Sequence, residues 1–237
     1  MAASGRVGVV FVSHSTRIAE GLVDLARQMA PSAALVAAGG TDDGRIGTSF
    51  DLVSGAIADA DSGEGVAVLC DLGSAILTAE TALDFLDDET RARVRIVDAP
   101  LVEGGVAAAV AAEAGDDLGH VVAAAESARG GGGAVAENGA AAASGAPLES
   151  PPAAGSRTVT LVNADGLHAR PAAELVKLAS TFPQKVTVNG ADAKSLLGIM
   201  SLGLTRGATV EIASDDPDGL AAVEAIVALA ESGFGEH

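Results

Sequence analysis

Val7 to Val12 is an unbroken apolar run rich in β-branched residues, and behind it Ile18, Leu22, Leu25 and Met29 recur at the spacing of a helix stripe. Pro31 stops that helix. Ala33 to Ala38 predicts a second strand, Asp51 to Ala60 a second helix, Val66 to Cys70 a third strand and Ala75 to Leu86 a third helix. Arg93 to Val97 predicts a fourth strand, followed by helical segments at Glu103 to Glu113 and Leu118 to Ala128. Strands that alternate with helices in this way predict an α/β unit with a doubly wound parallel sheet, whose ligand crevice lies at the carboxyl ends of its strands.

From Arg129 to Gly155 the pattern stops: four glycines, Gly130 to Gly133, lead into a stretch of mostly Ala, Gly, Ser and Pro with few groups to anchor a core. Residues 129–156 therefore predict a flexible tether between a first domain, 1–128, and a second, 157–237. In the second, a strand at Arg157 to Asn163 leads to a helix from Ala169 to Thr181 with Leu175, Leu178, Ala179 and Phe182 on one face. Strands at Lys185 to Val188 and around Ala191-Asp192-Ala193 follow. After them come a short helix from Ser195 to Ser201, a strand at Thr209 to Ala213 and a helix from Pro217 to Ser232. This order, with short links between paired strands, predicts an antiparallel α+β open-faced sandwich.

The chain has 237 residues and is 49% hydrophobic, enough for two small cores. A formal charge of −18 with no Lys/Arg cluster argues against nucleic acid or an anionic membrane as partner. The 2% aromatic content is all Phe, which disfavours stacking platforms. Cys70 is the single cysteine, so no intrachain disulfide forms; at the end of an apolar strand it reads as a buried structural thiol. The first residues lack the pattern of a signal peptide and no apolar run is long enough to span a membrane, so a cytoplasmic protein is expected.

Two of the four histidines lie where an apolar run gives way to a helix pattern. His14 follows Val7 to Ser13 and precedes Ser15-Thr16; His168 follows Thr158 to Asn163 and precedes Ala169-Arg170-Pro171. A helix mouth offers unpaired backbone N–H groups and partial positive charge, which suit a dianionic phosphoryl group, and an imidazole nitrogen is a competent nucleophile toward phosphorus. Two such positions suggest a relay. Around His168, Gly166 permits a tight turn, Pro171 suits a first helical turn, and Arg170 can offer guanidinium hydrogen bonds to phosphate. Around His14, the hydroxyl of Ser15 and the glycine-rich loop carrying Thr41 can donate to phosphoryl oxygens. Asp71, at another strand end, can accept from Nδ1–H of His14 and leave Nε2 nucleophilic, or it can cap the following helix, and the two roles can coexist. His120, in an acidic helix-prone stretch, is expected at the surface, and His237 as solvated; no metal site is expected.

Gly166-Leu167-His168-Ala169-Arg170-Pro171-Ala172 and Ala193-Lys194-Ser195-Leu196-Leu197-Gly198-Ile199-Met200-Ser201-Leu202 make residues 157–236 resemble HPr, the histidine phosphocarrier of the phosphoenolpyruvate-dependent phosphotransferase system (PTS). Residues 6–128 resemble the mannose-type enzyme IIA. Gly39-Gly40-Thr41-Asp42, Ile46-Gly47-Thr48-Ser49 and the run Asp71 to Leu83 bring them nearer to the phosphotransfer subunits of PTS-dependent dihydroxyacetone kinases, the DhaM family. The resemblance implies that His168 takes phosphate on Nδ1 from enzyme I with help from Arg170, that Leu196, Leu197 and Met200 form an apolar docking surface, and that Ser195 matches a position modified by a regulatory kinase in some HPr proteins. Ser195 is also explained as an N-cap.

The resemblance further implies that His14 receives the phosphate and gives it to ADP held by a nucleotide-binding kinase subunit, which phosphorylates dihydroxyacetone (glycerone) on a third subunit. It thus implies the phosphoryl-donor subunit of a phosphoenolpyruvate–glycerone phosphotransferase. No cofactor is expected tightly bound in this chain, ADP/ATP sitting on the partner; enzyme I is expected in trans, and a homodimer through the IIA-like domain. The competing expectations are a sugar-transport component that phosphorylates a mannose-type IIB protein, and a signalling module whose phosphorylation state controls binding to a regulator.

Overall fold

The computed structural model describes residues 5–129, 155–163 and 166–235. Four strands, β1 (Gly8–Ser13), β2 (Leu35–Gly39), β3 (Val66–Cys70) and β4 (Val94–Val97), form an all-parallel sheet in the order β2-β1-β3-β4. Every residue of β1 and β3 is buried, as expected of central parallel strands covered on both faces. The two-residue period divides them. Val9, Phe11, Ala67 and Leu69 face a core shared with α1 (Thr16–Arg27), α5 (Leu101–Ala114) and α6 (Leu118–Glu126), whereas Val10, Val12, Val66, Val68 and Cys70 face α2 (Phe50–Ala60) and α3 (Gly73–Asp84). The sheet is doubly wound, and the ends of β1 and β3 bring residues 13–15 and 71–74 together at one edge.

The α1 stripe differs from the expected one. Ala19, Leu22, Val23 and Ala26 are buried, while Ile18 and Leu25 are 52% and 46% exposed. Alanines, which weigh little in an apolar pattern, line the close approach to the sheet, so only Leu22 belongs to both stripes. A short helix α4 (Asp88–Ala92), absent from the periodicity, exists because the Asp87 carboxylate accepts from the Glu89 and Thr90 N–H groups at its start.

After Gly155 the chain forms β5 (Ser156–Thr160), α7 (Ala169–Ser180), β6 (Thr187–Val188), β7 (Ala191–Asp192), α8 (Leu196–Ser201), β8 (Thr209–Ala213) and α9 (Leu220–Glu231). The sheet is antiparallel in the order β5-β8-β6-β7. Along β8, Val210 and Ile212 are buried and their neighbours are not, so one face meets the helices and the other is open, as the sandwich pattern predicts. The last helix starts three residues later than expected because Asp216 holds a turn, its carboxylate accepting from Asp218 N–H and its carbonyl from Gly219 N–H. The predicted tether lies almost wholly outside the described residues, between a 3-10 turn at Ser127–Arg129 and β5. Among the described residues no helix is long and apolar enough to cross a membrane.

Gly105 on α5 lies against the Phe11 ring: a Cβ there would stand 2.6 Å from Cε1 of a fully buried side chain. Gly105→Ala is therefore expected to lower stability by about 1–3 kcal/mol. Gly21→Ala, mid-helix on α1 with no atom within 4 Å of the new methyl, should raise it by up to about 1 kcal/mol. Urea unfolding of the two variants checks the opposite signs.

Candidate functional site

His14 stands one residue past β1 and two before α1, at the carboxyl edge of the parallel sheet. Asp71 stands one residue past β3 on the neighbouring strand, and the register that pairs Val12 with Cys70 sets the two side by side. The Asp71 carboxylate accepts four hydrogen bonds: Ser13 Oγ at 2.9 Å, His14 N–H at 2.8 Å, His14 Nδ1 at 2.9 Å and Leu72 N–H at 2.7 Å. Burial pushes this carboxyl up, but the bonds from His14, Ser13 and Leu72 outweigh it and hold it below the ordinary carboxylate value. An anion at Asp71 assigns the proton to Nδ1 of the neutral ring, which leaves Nε2 as the lone-pair nitrogen. Nε2 lies 2.7 Å from Ser74 Oγ, so the Ser74 hydroxyl donates to it.

The ring is thus held at both nitrogens, with its side chain 21% exposed and that of Asp71 16%. Two helices begin beside it. Ser15 is the N-cap of α1 in extended conformation with no side-chain cap bond, and Leu72 is the N-cap of α3, also without one. Asp71 therefore orients the imidazole and does not cap α3. Each mouth carries first-turn N–H groups without intrahelical partners.

The loop from Gly39 to Ser49 closes the third side. Gly47 N–H donates to the His14 carbonyl at 2.9 Å, Thr16 Oγ to the Gly39 carbonyl at 2.8 Å, and the Thr48 and Thr78 hydroxyls pair at 2.7 Å. Thr41 is placed differently from expectation. Its hydroxyl donates to Asp43 at 2.6 Å and accepts from Arg45 N–H at 3.1 Å, so it shapes its own loop. Ser13 and Ser74 were not singled out in the sequence. Ser13 is fully buried at a strand end, a weak signal for a hydroxyl with a dedicated partner. Ile46, next to the Gly47 that bonds the His14 carbonyl, and Leu72, next to Asp71, are 76% and 60% exposed.

His168 is itself the N-cap residue of α7, in extended conformation, with Arg170 exposed at the second helical position and Pro171 buried at the third. Its turn is fixed from behind. Gly166 has φ +68°, and a Cβ there would meet the Leu204 carbonyl oxygen at 2.2 Å, while Leu167 N–H donates to that same carbonyl at 2.8 Å. The buried Asn163 amide donates to the Gly166 carbonyl at 2.6 Å and His168 N–H at 3.0 Å. Only glycine fits this combination of left-handed backbone and close approach. Because Pro171 has no N–H, the first-turn donors left are those of Ala169 and Arg170.

Ser195 caps α8, its hydroxyl accepting from Gly198 N–H at 3.2 Å. His120 is exposed and paired with Asp117, as expected of a surface position. His237 lies outside the described residues. Among the described residues no group of three His, Cys, Asp or Glu side chains could hold a metal ion. Cys70 is buried, and burial pushes its thiol up to about 12, as expected of a structural cysteine.

The two stretches match two family models: one described as PTS system fructose IIA component over residues 8–122, the other as PTS HPr component phosphorylation site over residues 155–232. The phosphoryl donor subunit DhaM of the PEP-dependent dihydroxyacetone kinase of Klebsiella michiganensis is 38% identical over 242 residues, covering 97% of this chain and 51% of that protein. The corresponding subunit of kinase 2 of Listeria innocua is 45% identical over 105 residues, 44% of this chain and 84% of the relative. The phosphocarrier protein HPr of Cupriavidus necator is 43% identical over 84 residues, 34% of this chain and 94% of the relative. The chain thus spans about half the length of relatives such as the Klebsiella subunit.

Folding lowers the Asp71 carboxyl, so the anion's contribution to stability is present above its unfolded value near 3.8 and is lost as pH falls through the lower folded value. Asp71→Asn should therefore destabilise the chain most near neutral pH, and the difference should narrow below about pH 4. Denaturant midpoints of the two chains across that range measure it.

Proposed function

We propose, from the premise that the chain belongs to the DhaM family of phosphoryl donor subunits, that it relays a phosphoryl group through two histidines, from enzyme I to His168, then to His14, then to ADP on a dihydroxyacetone kinase subunit. The observation that carries the reading is the fixed orientation of the His14 ring, Nδ1 on Asp71 at 2.9 Å and Nε2 at the α3 mouth 2.7 Å from Ser74. Phosphoryl transfer needs little from a protein beyond in-line alignment and stabilised phosphoryl oxygens, and both can be supplied here.

His168 Nδ1 attacks the phosphorus carried by enzyme I. A phosphorus–nitrogen bond forms as the one to enzyme I breaks, and the Arg170 guanidinium and the α7 N–H groups take the phosphoryl charge. His14 Nε2 then attacks the phosphorus on His168 from the opposite side, and the electron pair of the breaking bond returns to Nδ1 of His168. The proton on Nδ1 of His14 stays in place, so the phosphorylated ring is an imidazolium-like cation beside the Asp71 anion. The Ser74 hydroxyl, released from Nε2, turns to a phosphoryl oxygen, joined by N–H groups at the α1 and α3 mouths and by Ser15. Thr41 acts at one remove by holding the shape of the 39–49 loop. In the last step the terminal phosphate oxygen of ADP attacks the phosphorus on His14, the bond from Nε2 to phosphorus breaks with its electron pair returning to Nε2, and ATP forms on the partner.

This reading requires three partners: enzyme I, the ADP-binding kinase subunit and the dihydroxyacetone-binding kinase subunit. It assigns no tightly bound cofactor to this chain, and it includes a cytoplasmic location and a homodimer through the parallel-sheet unit. Two domains joined by the segment 129–156 complete it. Ser195 is read as the cap of α8, with regulatory phosphorylation a property to be tested.

Reconstitution with enzyme I, phosphoenolpyruvate and the two kinase subunits should yield triose phosphate. His168→Ala should block loading by enzyme I, and His14→Ala should load at His168 but deliver nothing. Asp71→Asn should slow delivery by about 10²–10⁴-fold. Label that moves only to a mannose-type IIB protein would refute the assignment.

A further inference from the structure

Ten consecutive residues of α5, Gly104 to Glu113, are buried. The parallel sheet, α1 and α6 cover part of this helix, and α7 and α8 of the antiparallel-sheet unit cover the rest, so that one apolar cluster runs from Phe11 and Leu69 through Val110 to Leu175, Val176 and Ile199. The contact has one ionic element. The Glu113 side chain is 3% exposed and accepts from Ser32 N–H at 2.8 Å and from Lys177 Nζ of α7 at 3.4 Å, with Arg6 at 3.9 Å.

The ionic element of this contact lies far from His14. Arg6 and Ser32 precede β1 and β2, so Glu113 and Lys177 meet at the amino edge of the sheet, whereas His14 lies past the carboxyl end of β1, about 20 Å away along a six-residue strand. Histidine-to-histidine transfer requires the rings face to face across one phosphorus, which would cover the rim of the His14 opening. That rim is open to solvent, with Ile46 76% and Leu72 60% exposed.

The contact is also imperfect. A cleft of about 370 Å³ separates Ala107, Ala111, Asp116 and His120 on one side from Lys194 and Leu196 on the other. A permanent core does not leave a gap of that size, whereas contacts between separable units commonly do.

We propose that the α5–α6 face is a berth for the α7–α8 side of the same chain's phosphocarrier-like unit, a docked state off the transfer path that must open before His168 can reach His14. The transfer part rests on the relay reading; the docked state does not. Lys177 is the latch, because it neutralises a carboxylate that is otherwise buried with only the more distant Arg6 as a cationic partner. Docking also occupies Leu196, 4% exposed, at the start of α8.

The test uses the full chain with Cys70→Ala and a reporter thiol at Ala111→Cys, so that the reporter is the one thiol in the folded and the unfolded chain alike. In the docked chain maleimide labelling of the reporter should be at least about 100-fold slower than that of the same chain unfolded in urea. Adding Lys177→Glu, which sets two carboxylates against each other, should speed it about tenfold or more. Ala123→Glu, placing a charge in the cleft from the α6 side, should do the same without touching Glu113. Labelling at the unfolded-chain rate in the parent, or protection unchanged in both variants, would overturn the docked state.

In single-turnover transfer from phospho-His168 to His14, Lys177→Glu should raise the rate about threefold or more. An unchanged or lower rate would overturn the off-path assignment. If His14 takes no label in any of the chains, the relay reading fails and the reporter thiol still decides the berth.

Discussion

The carboxylate of Asp71 is the fixed point of the His14 site. It receives four hydrogen bonds, two of them from His14, and it does so because two parallel strands in register end at the same level. A group so placed has little freedom to turn, and neither has the ring bound to it. The resulting asymmetry between the two imidazole nitrogens, one committed to an anion and one facing a helix mouth, follows from the strand pairing. Loss of register between β1 and β3 would dissolve the site before any side chain was changed.

The second histidine is held by different means toward the same end. Its backbone is positioned by a left-handed glycine pressed against the Leu204 carbonyl and by an N-cap conformation at His168 itself. A residue at the N-cap stands nearest to the unpaired N–H groups of its own helix. The His14 ring is coupled to a charge across a sheet, and the His168 backbone opens a helix along the chain.

The helix α5 links the site to the rest of the molecule. It begins beside the carboxyl edge of the sheet and ends at Glu113 under the amino edge, and its small residues let the sheet, α1, α6 and α7 approach it together. An all-apolar helix must be covered on every side, so this sequence demands a second layer beyond the sheet. The Lys177–Glu113 pair supplies charge at the one place where that layer would otherwise bury a carboxylate with only Arg6, at 3.9 Å, as a cationic partner.

Much of this was legible in the chain because it is local. A β-branched run followed by a helix pattern places His14 and His168 at helix mouths, and the alternation of strands and helices fixes the parallel sheet and hence the edge where Asp71 falls. The buried face of α1 departs from the apolar stripe because alanine carries little weight in such a pattern, and α4 leaves no periodic signal because it rests on one capping carboxylate. Thr41, expected at the phosphoryl group, is claimed by its own loop, a competition decided by Asp43 and Arg45 within a few residues. Ser13 and Ser74 gain their roles only across 58 and 60 residues of chain, through a strand pairing that no local pattern records. The sequence alone determined the alternation of strands and helices and placed His14 and His168 at helix mouths, because those depend on neighbours along the backbone. The tertiary structure decided which nitrogen of His14 is open, which hydroxyl meets it and where the second unit rests, because those depend on distances between segments that the chain's order leaves free.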